Sequence, residues 1–125
     1  MIERDEGHIV TIASLAGCVG NAGLSDYSAS KSAAYGFSES LRIELKHLKS
    51  KVVVTTINPG YINSGMFQGV KESLLWPNHR LSYAAKRIVN AIAQNEGEVS
   101  MYWLQGCLIW LCKAVMNSWI FDKTL

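Results

Sequence analysis

Cysteine is scarce in this chain, and the three present, Cys18, Cys107 and Cys112, are an odd number without a close pair. Such a set builds no disulfide framework and fits a reducing compartment. Cys107 and Cys112 have no histidine or second cysteine pair at metal-ligand spacing, so no metal site is expected. An excess of one charge sign is also missing. The net charge is +2 with no block of like charge, which removes the usual mark of a nucleic-acid partner. The opening residues, MIERDEG, have no apolar core of the signal-peptide kind. A dinucleotide fingerprint is absent too. The run GCVGNAG, 17–23, is rich in glycine, but such a fingerprint belongs in the first strand-to-helix turn of its domain, with an acidic residue about twenty positions on. Neither condition is met, and the run reads as a flexible turn beside the substrate. At 125 residues the chain has room for one domain and not two.

What is present centres on SLAGCVGNAGLSDYSASK, 14–31. Tyr27 and Lys31 stand four residues apart, one turn apart on one face of a helix. Ser14 precedes Tyr27 by thirteen residues, at the end of an apolar run that reads as a strand. A phenol with a reference pKa near 10 is a poor base at neutral pH. A lysine ammonium nearby favours the phenolate and moves Tyr27 towards the range useful for general acid or base work. Ser14 would then hold the reacting oxygen. The plainer alternative is a Ser-rich helix start whose tyrosine packs in the core and whose lysine is solvated.

The flanking segments supply a scaffold. Residues 1–7 read as the end of a helix stopped by Gly7. HIVTIAS, 8–14, is a nearly continuous apolar run of the sort found in parallel strands covered on both faces, with His8 at its edge. Ser25 or Asp26 can cap a helix over 26–48. Ala34, Phe37, Leu41, Leu45 and Leu48 recur in it as a buried stripe, while Arg42, Glu44, Lys46, His47 and Lys49 make a solvated face. KVVVTTINPG then gives a second buried strand, stopped by Pro59. Strand, helix, strand is a right-handed crossover unit and so a parallel sheet. Ligands in such sheets bind beyond the carboxyl ends of the strands, where both Ser14 and the NPG turn lie. LSYAAKRIVNAIAQN reads as an amphipathic helix through Tyr83, Ala84, Ile88, Ala91 and Ile92, and GEVSMYW as a last short strand.

The motifs resemble, in order and spacing, the second half of a short-chain dehydrogenase/reductase, whose active site is a Ser followed by Tyr-x-x-x-Lys. Here these are Ser14 and YSASK, Tyr27 to Lys31, preceded by GHIVTIAS and followed by VVVTTI and NPG, so that the resemblance spans about residues 3 to 100. It implies a Rossmann-type α/β fold, a parallel sheet with flanking helices, of which this chain holds the carboxyl half. It also implies NAD or NADP as cofactor, with Ser14, Tyr27 and Lys31 catalytic and Tyr27 and Lys31 also touching the cofactor. The family pattern PGxxxT matches PGYINS, so Pro59, Gly60 and Ile62 would flank the nicotinamide carboxamide. Ser64 stands where threonine is usual, and its hydroxyl would bond less rigidly. The helix over 26–48, with small residues such as Ser28, Ala29, Ala33 and Gly36, is implied to pair with its copy in a homodimer. GHIVTIASLAG, the GMF after the NPG turn and an apolar tail look most like the branch of epidermal retinol dehydrogenases and lipid-droplet hydroxysteroid dehydrogenases. That branch implies a retinoid, steroid or similar lipophilic alcohol or carbonyl as substrate, at the cytoplasmic face of the endoplasmic reticulum membrane or on a lipid droplet surface.

Two further stretches bear on that reading. GMFQGVKESLLWPNHR, 65–80, falls where the family has a variable lid, and its apolar residues suit a lipid; a surface turn with a few apolar anchors is the alternative. From Met101 to Phe121 the chain holds three tryptophans, two more aromatics and one charge, Lys113. The length suits a membrane span, but Gln105, Asn117 and Ser118 fit better with a helix lying at an interface, anchored by Trp103, Trp110 and Trp119. Burial against the sheet or in a dimer is the other reading. The expected organisation is a partial dinucleotide-binding catalytic domain over 1–102 and an apolar tail over 103–125. The family's TGxxxGxG turn is not among these residues, so a fragment is expected. It should bind dinucleotide weakly and turn over little by itself, or act as an inactive dimerisation and membrane-binding module.

Overall fold

A computed structural model describes residues 1–66, 69, 77–101, 104, 106, 107 and 111. The sheet at its centre has three strands, β1 (His8–Ile12), β2 (Val53–Asn58) and β5 (Glu98–Ser100), all parallel, with β2 in the middle. Helix α1 (Ser25–His47) carries the chain from β1 to β2, and α2 (Leu81–Ala93) precedes β5. Two short strands, β3 (Ile62–Asn63) and β4 (His79–Arg80), pair in parallel as a separate ladder.

The layering follows from strand alternation. Register places Ile12 beside Ile57 and Thr56 beside Glu98, so side chains of one parity share a face across all three strands. On one face Ile57 and Val99 pack with Ala84 and Ala91 of α2 and with Met101. On the other, Val54 and Ile9 pack with Leu41 and Leu45 of α1. With a helix against each face, β2 is buried from Val54 to Asn58, as its unbroken apolar and β-branched run requires. The parallel α/β architecture expected from the sequence is the one found.

Several local expectations are corrected. Residues 1–7 form turns and not a helix end. Asp5 adopts a left-handed backbone (φ 49°), and its carboxylate accepts from the Lys51 amide (2.8 Å) and the Ser50 hydroxyl (3.0 Å), bonds that compete with helix formation. Neither Ser25 nor Asp26 caps α1: the cap position is Leu24, and Asp26 instead accepts from the Tyr27 amide at 2.8 Å. The buried line of α1 is also rotated. Phe37 is 61% exposed and Leu48 64%, whereas Ser38 is fully buried. Arg42, expected on the solvated face, turns inward. Its guanidinium donates to Thr56 Oγ1 (2.6 Å), to the Gly97 carbonyl (2.7 Å) and, at 3.4 Å, to the Val54 carbonyl. The cause is the sheet face it meets, where Thr56 replaces the aliphatic residues found lower on the strand.

Of the segment 65–80, Met66 is exposed and His79 and Arg80 form β4. Phe67, Leu74, Leu75 and Trp76 lie outside the described residues, as do Trp103, Trp110, Lys113 and Trp119 of the tail and the boundary at 102. Among the described residues no helix is long and apolar enough to cross a membrane.

Candidate active site

Ser14 follows β1 by two residues, with extended backbone (φ −170°, ψ 156°) and 8% exposure. It opens a 3₁₀ turn, Leu15–Gly17, and caps it: Ser14 Oγ accepts from the Ala16 amide at 3.2 Å. The hydroxyl proton goes to the Pro59 carbonyl at 3.3 Å, and the same carbonyl accepts from the Leu15 amide at 2.9 Å. Pro59 thus ties the end of β2 to the start of the Ser14 turn. At 3.3 Å the hydroxyl bond is long for an O–H donor, so an oxygen approaching Oγ competes for that proton on favourable terms.

Lys31 is fixed to the same place from the helix side. Its Nζ donates to the Ile12 carbonyl at 3.0 Å, at the carboxyl end of β1, and lies 5.7 Å from the centroid of the Tyr27 ring. That separation is within the range of a cation–π attraction. The ammonium is therefore held two residues from Ser14 in sequence while lying over the phenol, and not swung into solvent. One of its three N–H groups is committed to Ile12, which leaves two donors.

The turn and the helix are in close contact. A Cβ added at Gly17 would lie 2.6 Å from both the carbonyl carbon and oxygen of Lys31, and Ser32 Oγ donates to the Gly17 carbonyl at 2.8 Å. Gly17 was expected in a flexible turn. Instead it is buried in the 3₁₀ turn, because only a residue without Cβ lets this turn meet the helix backbone. Gly20 and Gly23 have open space around them.

The PGYINS segment leaves the end of β2 next to this site. Pro59 is buried, Gly60 and Ile62 are half-buried and Ser64 is exposed. Its path is set by β4: the Tyr61 carbonyl accepts from the His79 amide at 2.9 Å, ahead of the β3–β4 pairing. His79 stacks on Tyr83 (centroids 5.2 Å apart), and burial lowers its pKa below the usual 6.5. Sequence reasoning missed the Ile12 carbonyl and His79 as parts of this neighbourhood and, at Gly17, the contact with the helix. None carries a sequence signal, since each acts through a contact with a residue remote in the chain.

The family description "short chain dehydrogenase" matches residues 1–74. Over 99 residues the chain is 52% identical to short-chain dehydrogenase/reductase family 16C member 6 of Bos taurus, an alignment covering 77% of this chain and 31% of that protein. It is 46% identical over 99 residues to epidermal retinol dehydrogenase 2 of Homo sapiens, with 77% and 32% covered. The chain therefore spans about a third of the length of these relatives. Among solved structures, a short chain dehydrogenase from Burkholderia cenocepacia J2315, crystallised in complex with NADP, superposes with a TM-score of 0.76 at 24% identity, over 99% of this chain and 49% of that one. A family match over more than half of the chain, on the parallel sheet that the family's fold requires, places this chain in the short chain dehydrogenase family.

Proposed function

We propose that this chain carries the proton-handling side of an oxidoreductase site that passes a hydride between NAD or NADP and a lipophilic alcohol or carbonyl. The observation that supports this most is the position of Lys31, bonded to the end of β1 beside Ser14 while lying over the Tyr27 ring. In the reducing direction the Tyr27 hydroxyl gives its proton to the carbonyl oxygen, and in the oxidising direction the phenolate takes the alcohol proton. The Lys31 ammonium lies over the ring, 5.7 Å from its centroid, as the positive charge nearest that transfer in this reading. Ser14 Oγ, held by the Ala16 amide, turns its proton from Pro59 to the substrate oxygen and fixes its position.

The donor set fits a nicotinamide nucleotide. The two remaining N–H groups of Lys31 suit a ribose diol, and the Pro59, Gly60 and Ile62 backbone with the Ser64 hydroxyl would flank the carboxamide. When bound, the nicotinamide supplies or accepts the hydride. A lipophilic, retinoid-like substrate is supported by the name of the epidermal retinol dehydrogenase relative. Met101, expected in the tail, is buried in the core, and the aromatic sequence after it, 102–121, supports contact with the endoplasmic reticulum membrane or a lipid droplet surface. Exposed Phe37 and Leu48, on one line of the helix over 26–48, favour pairing with a second copy.

The test is turnover of a retinol or hydroxysteroid by the full chain at saturating NAD or NADP, compared with Tyr27→Phe and Lys31→Met. Tyr27→Phe should abolish turnover and keep nucleotide binding, and Lys31→Met should weaken both. Turnover that survives Tyr27→Phe in a folded chain overturns the catalytic reading. Co-purification of an inactive chain with a full-length relative would favour the pairing module.

A further inference from the structure

On the α1 side of the sheet the layer turns polar towards the carboxyl ends of the strands. Glu98, in β5, lies beside Thr56 in register, and its Oε1 accepts from Asn58 Nδ2 at 3.0 Å. Asn58 is 2% exposed and directly precedes Pro59, whose carbonyl holds both the Leu15 amide and the Ser14 hydroxyl. Tyr35 of α1 lies beside the same carboxylate. Burial, with Glu98 beside it, pushes that phenol well above its ordinary range. Tyr35 packs against the cluster of Leu15 and Cys18, the first residue of the turn that Ser14 opens and the residue that ends it. Two separate routes thus run from Glu98 to the Ser14 turn, one through the β2 exit and one through the ring packed on the turn.

We propose that Glu98 is a positioning residue for Ser14, holding the Asn58–Pro59 carbonyl on one side and the Tyr35 ring on the other. The inference rests on the reading of Ser14 as the group that orients the reacting oxygen, but its geometry can be tested without turnover. Hydrogen exchange of the Leu15 amide, bonded to Pro59, reports the turn; the Ala13 amide, bonded to the Ile57 carbonyl at 2.8 Å, reports the sheet two residues upstream. Loss of one such bond corresponds to a change of about fivefold. In Glu98→Ala, Leu15 exchange should rise by about fivefold or more with Ala13 unchanged. Glu98→Gln, which keeps one oxygen acceptor and loses the charge, should fall between. Tyr35→Phe should reproduce part of the effect without touching β5. Where turnover is measured, kcat should fall in Glu98→Ala while the dinucleotide KM stays constant. Equal acceleration at Leu15 and Ala13, or none at either, overturns the proposal. The expected exchange pattern in a chain whose turnover survives Tyr27→Phe keeps the role of Glu98 in placing Ser14 and overturns only the catalytic reading.

Discussion

Replacing Gly17 with alanine is the most searching perturbation of this site, because it changes one methyl group where the Ser14 turn meets the helix of Tyr27 and Lys31. The added Cβ would stand 2.6 Å from the carbonyl carbon and oxygen of Lys31 and 2.9 Å from the Ser32 nitrogen. Carbon contacts settle at about 3.5 Å or more, so the two segments must separate by about 1 Å. The obstructing atoms are helix backbone, which has no rotamer to relieve the clash, and α1 is anchored towards its carboxyl end by Leu45 and Arg42 and at Lys31 by the bond to Ile12. The lighter partner, the 3₁₀ turn, must therefore move, taking Ser14 with it and stretching the Ser32 to Gly17 bond of 2.8 Å. Overpacking of this kind costs about 1–3 kcal/mol. A misplacement of about 1 Å at a catalytic group costs about a hundredfold in rate. Urea unfolding of Gly17→Ala beside Gly20→Ala, whose Cβ meets nothing within 4 Å, isolates the effect from the general consequence of losing a glycine. Turnover, where present, should fall in the first variant only. Equal unfolding midpoints for the two variants, with the Leu15 amide still protected in Gly17→Ala, would refute the claim that this contact sets the site.

Three other outcomes are expected. Arg42→Met should destabilise the chain by about 2–4 kcal/mol, since it strips donors from Thr56 Oγ1 and the Gly97 carbonyl; a urea midpoint close to that of the parent would show that the guanidinium is solvated after all. His79 is held below its ordinary 6.5 by burial, so the folded state binds its proton less readily than the unfolded chain. Stability is then complete above pH 6.5 and declines as the pH falls through the lowered value, and His79→Phe should remove that part of the slope in thermal unfolding. Glu96 is held below its ordinary 4.5 chiefly by the Arg87 hydrogen bonds, at 2.8 Å each. Its contribution is present above pH 4.5 and lost as the pH falls through the lowered value, so Arg87→Met should flatten the acid limb by lowering the neutral part of the stability profile slightly, the pair being partly exposed, and leave the most acid part unchanged.

The sequence by itself determined the order of strand, helix and strand, the parallel sheet, and the four-residue spacing that puts Tyr27 and Lys31 on one face. Those features depend on local periodicity and on unbroken apolar runs, which neighbouring residues alone specify. It also placed Ser14 and the NPG turn at the carboxyl ends of adjacent strands, since a crossover fixes which ends coincide. What it left open was decided by faces meeting in space. Helix α1 has apolar residues around much of its circumference, so spacing alone did not say that Phe37 and Leu48 would be exposed and Ser38 buried. The choice belongs to the sheet, whose α1-facing side is aliphatic at Ile9 and Val54 and polar at Thr56, Asn58 and Glu98; it draws in Leu41 and Leu45 at one end and Arg42 and Tyr35 towards the other. The same holds at Gly17, which looked like one glycine among several in a loop. Its role is set by a helix backbone fourteen residues further along the chain, at a separation that only the packed fold defines.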